Sequence, residues 1–229
     1  MIDFHTHILP GVDDGSKSVL TSISMLREEY RQGIEAAILT PHFYAGENSI
    51  EQFLEKRDQA WQGLEACLGD ESPRVYLGAE VQFFEGICSV EEVHKLCIEG
   101  TNTLLLEMPF GHWSQRVVEE VLELNAGGST QVVLAHIERY LEMQPAETWQ
   151  YLRTNGVWMQ TNISFFNNWK TRHKAMKMLS RGEIQFLGSD CHNMTTRCPK
   201  WDQVPAKALA MIQEGEIYGN FRAALYERA

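Results

Sequence analysis

Ile2-Asp3-Phe4-His5-Thr6-His7-Ile8-Leu9-Pro10-Gly11-Val12-Asp13-Asp14-Gly15 follows directly on Met1. Residues i and i+2 of a strand point to the same face. A strand over Ile2–His5 that carries on to His7 therefore aims two imidazoles at one point. The turn through Pro10 and Gly11 doubles the chain back and brings Asp13 or Asp14 to the same place. Two imidazole nitrogens and a carboxylate oxygen suit a hydrolytic divalent metal. Taken alone, His-x-His also fits a half-buried strand with two incidental histidines. The remaining strand ends decide between the two.

Short apolar runs alternate with amphipathic stretches along the whole chain. Strands are predicted at Ile2–His5, Ala36–Thr40, Val75–Val81, Thr103–Glu107, Gln131–Ala135, Val157–Asn162 and Ile184–Ser189. Helical patterns lie between them. Val19, Ile23, Leu26 and Tyr30 recur at helical spacing, and Gly33 follows as a stop. Phe53 to Leu68, Val117 to Leu124 and Lys170 to Leu179 carry the same pattern, and Trp201 to the C-terminus reads as helix with a break near Gly215. Repeated β–α units predict an α/β fold with a parallel sheet. No linker or composition shift divides the chain, which predicts one domain over residues 1–229.

The predicted strands end on ligand-type residues. Strand one ends on His5 and His7, and strand two runs into Thr40-Pro41-His42. Strand three contains Glu80, strand four ends on Glu107, strand five on His136, strand six on Gln160 and Asn162, and strand seven on Asp190 with His192. In a (β/α) barrel all strand C-termini converge on one face, whereas an open sheet spreads them along a line. The pattern therefore predicts a barrel of seven strands rather than eight. Polar residues mark the exit of any strand from a core. Here they are overwhelmingly His, Asp and Glu, with no Lys or Arg at those positions.

The ligand count suggests more than one ion. Asp14, His42 and His192 fit one; His5, His7, Asp190 and one oxygen of Glu80 fit a second; the other oxygen of Glu80, with Glu107 and His136, fits a third. Glu107 also fits a role orienting a histidine rather than binding metal. Imidazole and carboxylate without thiolate suit manganese, iron or zinc.

Composition narrows the partners. The chain has 229 residues, 44% hydrophobic and 22% charged, as expected of a globular protein. A formal net charge of −11 argues against nucleic acid. No run of 18 apolar residues predicts a membrane span, and the N-terminus lacks the basic and apolar regions of an export signal. The five cysteines form no Cys-x-x-Cys pair and read as reduced thiols of a cytoplasmic protein.

Five stretches occur in order: His5 to Gly15 as quoted, Thr40-Pro41-His42, Gly78-Ala79-Glu80, Ala135-His136-Ile137-Glu138-Arg139-Tyr140 and Gly188-Ser189-Asp190-Cys191-His192-Asn193. Together they resemble the polymerase-and-histidinol-phosphatase (PHP) superfamily over essentially the full length. Within it the chain is most similar to bacterial manganese-dependent protein-tyrosine phosphatases linked to capsule and exopolysaccharide synthesis. The resemblance implies an α/β fold, a distorted seven-stranded (β/α) TIM-like barrel of PHP type, and three divalent metal ions held by His5, His7, Asp14, His42, Glu80, Glu107, His136, Asp190 and His192. It implies phosphate-binding arginines at Arg139 and Arg197. It also implies, as partner, the phosphotyrosine tail of a membrane-associated tyrosine autokinase. Ile137 replaces a proline common in the family, and Cys191 a frequent alanine; neither is a ligand position.

The chemistry expected is hydrolysis of a phosphomonoester, with divalent ions shielding phosphate charge and lowering the pKa of water towards ~7. A small-molecule phosphatase acting on histidinol phosphate shares these features, and a non-catalytic metal-loaded kinase-binding module is the reading from a different class. Cys191 to Arg197 fits the Cys-x5-Arg loop of cysteine-based phosphatases, but it lacks their glycines and sets Asp190 beside the thiol. Phe83, Phe84, Phe110, Trp113, Phe165, Phe166 and Trp169 follow the strand ends and fit either a tyrosine slot or loop packing.

Overall fold

Parallel strands with apolar residues on both faces form the centre of the fold. The computed structural model of the chain describes residues 1–227; Arg228 and Ala229, the end of the domain expected over 1–229, lie outside the described residues. The strands are β1 (Ile2–Thr6), β2 (Ala36–Leu39), β3 (His42–Phe43), β4 (Arg74–Leu77), β5 (Glu80–Gln82), β6 (Thr103–Glu107), β7 (Gln131–Leu134), β8 (Trp158–Asn162) and β9 (Phe186–Gly188). The helices are α1 (Val19–Arg31), α2 (Ile50–Glu65), α3 (Gln115–Ala126), α4 (Ala146–Thr154), α5 (Ser164–Asn167), α6 (Arg172–Ser180), α7 (Ala206–Gln213) and α8 (Glu216–Glu227).

All named strand pairs are parallel: β1 with β2, β2 with β4, and β3 with β5, then β6 to β9 in turn. Two predicted strands are each split in two. Thr40-Pro41 separates β2 from β3, and Gly78-Ala79 separates β4 from β5. The register survives both breaks, because Leu39 pairs with Leu77 and His42 with Glu80. Pro41 lacks a donor, but its carbonyl still accepts from Glu80 N at 3.0 Å. At the other end the sheet curls until β9 meets β1. Asp190 N donates to His5 O at 2.8 Å and His7 N to Cys191 O at 2.9 Å. The architecture is α/β with a curled parallel sheet.

The helices form where caps and spacing direct them. Ser18 caps α1 by accepting from Thr21 N, and Ser22, Met25, Leu26 and Glu29 line its buried face. Ser49 and Gln52 form a reciprocal capping box that starts α2 ahead of the predicted Phe53. The C-terminal helix breaks between α7 and α8 around Gly215, as expected. Helix α4 was not legible in the sequence: its apolar face is only Trp149 and Leu152, too short a pattern to register.

Glycine is required at two close approaches. A Cβ at Gly188 would lie 2.5 Å from His5 Cβ, so only glycine lets the last strand press against the first. A Cβ at Gly15 would lie 2.2 Å from His7 O, so the Asp13-Asp14-Gly15 loop folds onto His7 for the same reason.

Candidate metal centre

The strand ends converge. His5, His7, Glu80, His136, Asp190 and His192 are all buried, and their polar atoms meet within one pocket. Glu80 is central. Its Oε1 lies 2.7 Å from His136 Nε2. Its Oε2 lies 3.0 Å from His5 Nε2, 3.1 Å from His7 Nε2 and 3.1 Å from His42 Nδ1. Yet Glu80 Oε2 accepts no properly directed hydrogen bond, and His42 Nδ1, His136 Nδ1 and His192 Nε2 are likewise buried without a partner among the described residues. Buried polar atoms left in this way cost stability unless something else satisfies them. A mixed imidazole and carboxylate set whose lone pairs converge is what a divalent cation requires, so these residues fit one.

Three groups have donor atoms within 4.8 Å of one another: His7, Asp14, His42 and His192; His5, His7 and Asp190; and His42, Glu80 and Glu107. The first contains the expected Asp14, His42 and His192 with His7 added, and the second contains the expected His5, His7 and Asp190 without the Glu80 oxygen. In the third, His42 takes the place expected for His136. His136 Nε2 nonetheless lies 3.3 Å from Glu107 Oε1.

The two aspartates of the early loop separate in role. Asp13 Oδ2 lies 2.6 Å from His7 Nδ1. Asp14 is 66% exposed and reaches over the pocket, 3.4 Å from His192 Nε2 and 3.6 Å from His42 Nε2. Sequence spacing does not distinguish neighbouring acids, because the loop path decides which one turns inward.

The field is strong and mixed in sign. Burial alone lowers the His7 pKa, but Asp13 and Glu80 outweigh it and push it up to about 10. His136 follows the same logic: burial opposes, Glu107 and Glu80 prevail, and its pKa rises to about 9. His192 lacks such help, and burial with the charge on His7 lowers it to about 4. Burial raises the Asp190 carboxyl, but His5, His7 and Arg197 overcome this and hold it at about 2.

Two side chains bridge to solvent. Arg139 Nη2 donates to Asp190 Oδ2 at 2.7 Å, and Arg197 Nη2 donates to Asp190 Oδ1 at 2.6 Å. Both guanidiniums are about 40% exposed, at 38% and 41%, so each can reach an incoming anion. Among the described residues, His136 and Asp190 are also the non-glycine residues with positive φ, at 32° and 52°. Such backbone is costly for a side-chain-bearing residue, and it concentrates at functional sites.

Amides complete the frame. Gln160 Oε1 accepts from His136 N at 2.6 Å, Gln160 Nε2 donates to Asn162 Oδ1 at 3.1 Å, and Asn162 Nδ2 donates to Asp190 Oδ2 at 2.7 Å. Beneath the pocket, Asp3 Oδ1 accepts from His5 N and Ser189 N, and Asp3 Oδ2 accepts from Trp201 Nε1. Sequence reasoning missed Asp3. The signal was an acid two residues ahead of His5 in the first strand.

The aromatic residues divide. Phe165, Phe166 and Trp113 are core, at 5%, 0% and 3% exposure, so loop packing accounts for them. Phe83 and Phe84 pack partly buried against the core, while Phe110 and Trp169 stay exposed. Cys191 is wholly buried, its thiol pushed well above the usual range by burial and then by Glu29 and Asp3. It is no candidate nucleophile.

Known proteins resemble this chain in sequence and fold. The chain is 30% identical over 205 residues to the tyrosine-protein phosphatase YwqE of Bacillus subtilis, covering 86% of this chain and 79% of that protein. It is 30% identical over 219 residues to the tyrosine-protein phosphatase CpsB of Streptococcus pneumoniae, covering 89% and 87%. A crystal structure from the work on YwqE and CpsB, described as unique metal-dependent tyrosine phosphatases, superposes with a TM-score of 0.76 at 26% identity, covering 96% of this chain and 90% of that one. The family model for capsular polysaccharide synthesis, CpsB/CapC, matches residues 1–217, and the chain belongs to that family.

Proposed function

We propose that this protein is a metal-dependent protein-tyrosine phosphatase. The observation that carries the reading is Glu80 Oε2, set 3.0–3.1 Å from three imidazole nitrogens without a hydrogen bond, beside two half-exposed arginines. The first is a metal-ligand arrangement and the second an anion clamp. The relatives' names, tyrosine-protein phosphatase, supply the substrate class.

His5, His7, Asp14, His42, Glu80, Glu107, His136, Asp190 and His192 hold three divalent ions in this reading, with manganese the fitting ion and iron or zinc also compatible. Divalent ions bound there supply shielding of phosphate charge and acidification of water. The protein's own part is positioning. Arg139 and Arg197 turn from Asp190 to the phosphate oxygens by charged, paired hydrogen bonds. Asp13 keeps His7 in one ring orientation, and the Gln160–Asn162 chain does the same for Asp190. The departing tyrosine oxygen has a pKa of ~10 and needs less protonation than an alkoxide, which favours aryl phosphates.

The seven strand paths form a closed barrel around one domain in this reading. Support comes from the unbroken register across the β2–β3 and β4–β5 gaps and from the Thr6–Cys191 bridge. The partner is the phosphotyrosine tail of a membrane-associated autokinase acting in capsule or exopolysaccharide synthesis, met in the cytoplasm; the family description supports the pathway. No described helix is long and apolar enough to cross a membrane.

The test is hydrolysis of a phosphotyrosine peptide and of histidinol phosphate by chelated protein, before and after manganese, zinc or magnesium is restored. Peptide turnover that returns with metal is expected. Preference for histidinol phosphate would transfer the protein to the small-molecule reading, and metal binding with no turnover of any phosphate would transfer it to the non-catalytic one.

A further inference from the structure

The pocket opens sideways at Asp190 into a cavity of about 590 Å³. Arg139, Arg197 and Asp190 stand at its near end, and Asn167, Lys200 and Gln203 line it further on. A single phosphoryl group fills only a small part of such a space; cavities of this size hold ligands of many atoms.

The wall is polar and mixed in charge. Arg139, Arg197 and Lys200 line it together with Glu138 and Asp190, and both arginines are paired with Asp190. Lys200 is exposed, and no carboxylate among the described residues lies within ion-pairing distance of it. Asn167 Nδ2 donates to Lys200 O at 2.9 Å, which fixes the amide. Its Oδ1 is sealed from solvent, so the amide braces the wall rather than meeting a ligand. An unpaired ammonium matches an anion.

We propose that this cavity is the subsite for the polypeptide flanking the scissile phosphotyrosine, and that Lys200 selects an anionic side chain on it. The inference rests on the phosphatase reading and deepens it. The anion is a carboxylate or a second phosphate; both present the same charged oxygens to an ammonium. In this proposal Lys200 meets the flanking side chain and not the transferred phosphoryl group, so its contact is the same in ground and transition states. It therefore lowers KM and leaves kcat unchanged, and added salt weakens it.

Steady-state kinetics of the metal-loaded protein decide this. Three phosphotyrosine peptides are compared: one with neutral flanks, one with glutamates on both sides, one with phosphoserine on both sides. An exposed pair of this kind gives a KM about threefold lower for an anionic peptide than for the neutral one. Lys200→Glu is expected to cancel or invert that preference, and high salt to shrink it. The glutamate and phosphoserine arms tell which source of charge is preferred. Equal KM values for all three peptides in the wild-type protein, or a preference that survives Lys200→Glu, would overturn the subsite. Wild-type turnover of p-nitrophenyl phosphate checks the phosphatase reading separately. Turnover there with flat peptide KM values removes the subsite alone, and no turnover of any substrate removes both.

Discussion

Asp13 Oδ2 lies 2.6 Å from His7 Nδ1, and the same oxygen accepts the backbone N–H of His42 at 3.1 Å. One loop carboxylate thus sets a ring of the first strand and the start of β3 together. Partners of this kind hold a metal-binding histidine in one tautomer and raise its basicity. Asp13→Ala is expected to lower metal affinity or activity by about 10–100-fold. Metal content after dialysis, and kcat/KM on an aryl phosphate across a manganese titration, check it. Unchanged affinity would mean that His7 needs no support.

The His7 and His136 shifts give a pH dependence to the metal-free protein. Both imidazoles have folded pKa values raised above the ordinary 6.5, to about 10 and about 9. A raised value means that the folded state holds its proton more tightly. The associated stability is therefore fully present below pH 6.5 and is lost as pH rises through the folded values. Chelated protein should melt at progressively lower temperature between pH 6.5 and 10. Metal requires neutral imidazole, so metal affinity should rise over the same range. Thermal melts with chelator and with manganese test both slopes; a flat chelated profile would contradict the first.

Gly188→Ala is expected to destabilise by about 1–3 kcal/mol or more, as overpacking does. The new methyl would sit 2.5 Å from His5 Cβ and 2.8 Å from Gln160 Nε2, so relief requires the strands to part. Calorimetry measures the loss, and metal content should fall with it. A melting temperature equal to the wild type would show that the contact yields freely.

Cys191→Ala should keep most of the activity. The thiol is wholly buried, and burial with the Glu29 and Asp3 carboxylates holds it protonated. Alkylating reagents should also fail to inactivate the folded protein. Activity abolished in this variant with its metals intact would restore the cysteine mechanism.

Most of this site was legible because strand ends are readable. An apolar run that stops on His, Asp or Glu reports both the strand and its exit, as Leu104-Leu105-Leu106-Glu107 does. The Asp13-Asp14 choice was not legible, since adjacent loop acids differ only in the path of the backbone. Neither was the positive φ of His136 and Asp190, because those residues are held against their own preference by surrounding structure. The splitting of the second and third strands escaped for a related reason. Thr40-Pro41 and Gly78-Ala79 interrupt a hydrogen-bond pattern but not the apolar rhythm that a sequence displays.

The contact of β9 with β1 has a consequence for how the molecule comes into being. His5 and His7 leave the ribosome long before Asp190, His192 and Arg197. β1 must wait for β9 before the two can join, and contacts of such long sequence separation slow folding. A nascent or clipped chain ending ahead of Phe186 lacks the last strand and the donors beyond it together. Such a fragment loses a donor from two of the three ligand groups, so the seam and the site fail together.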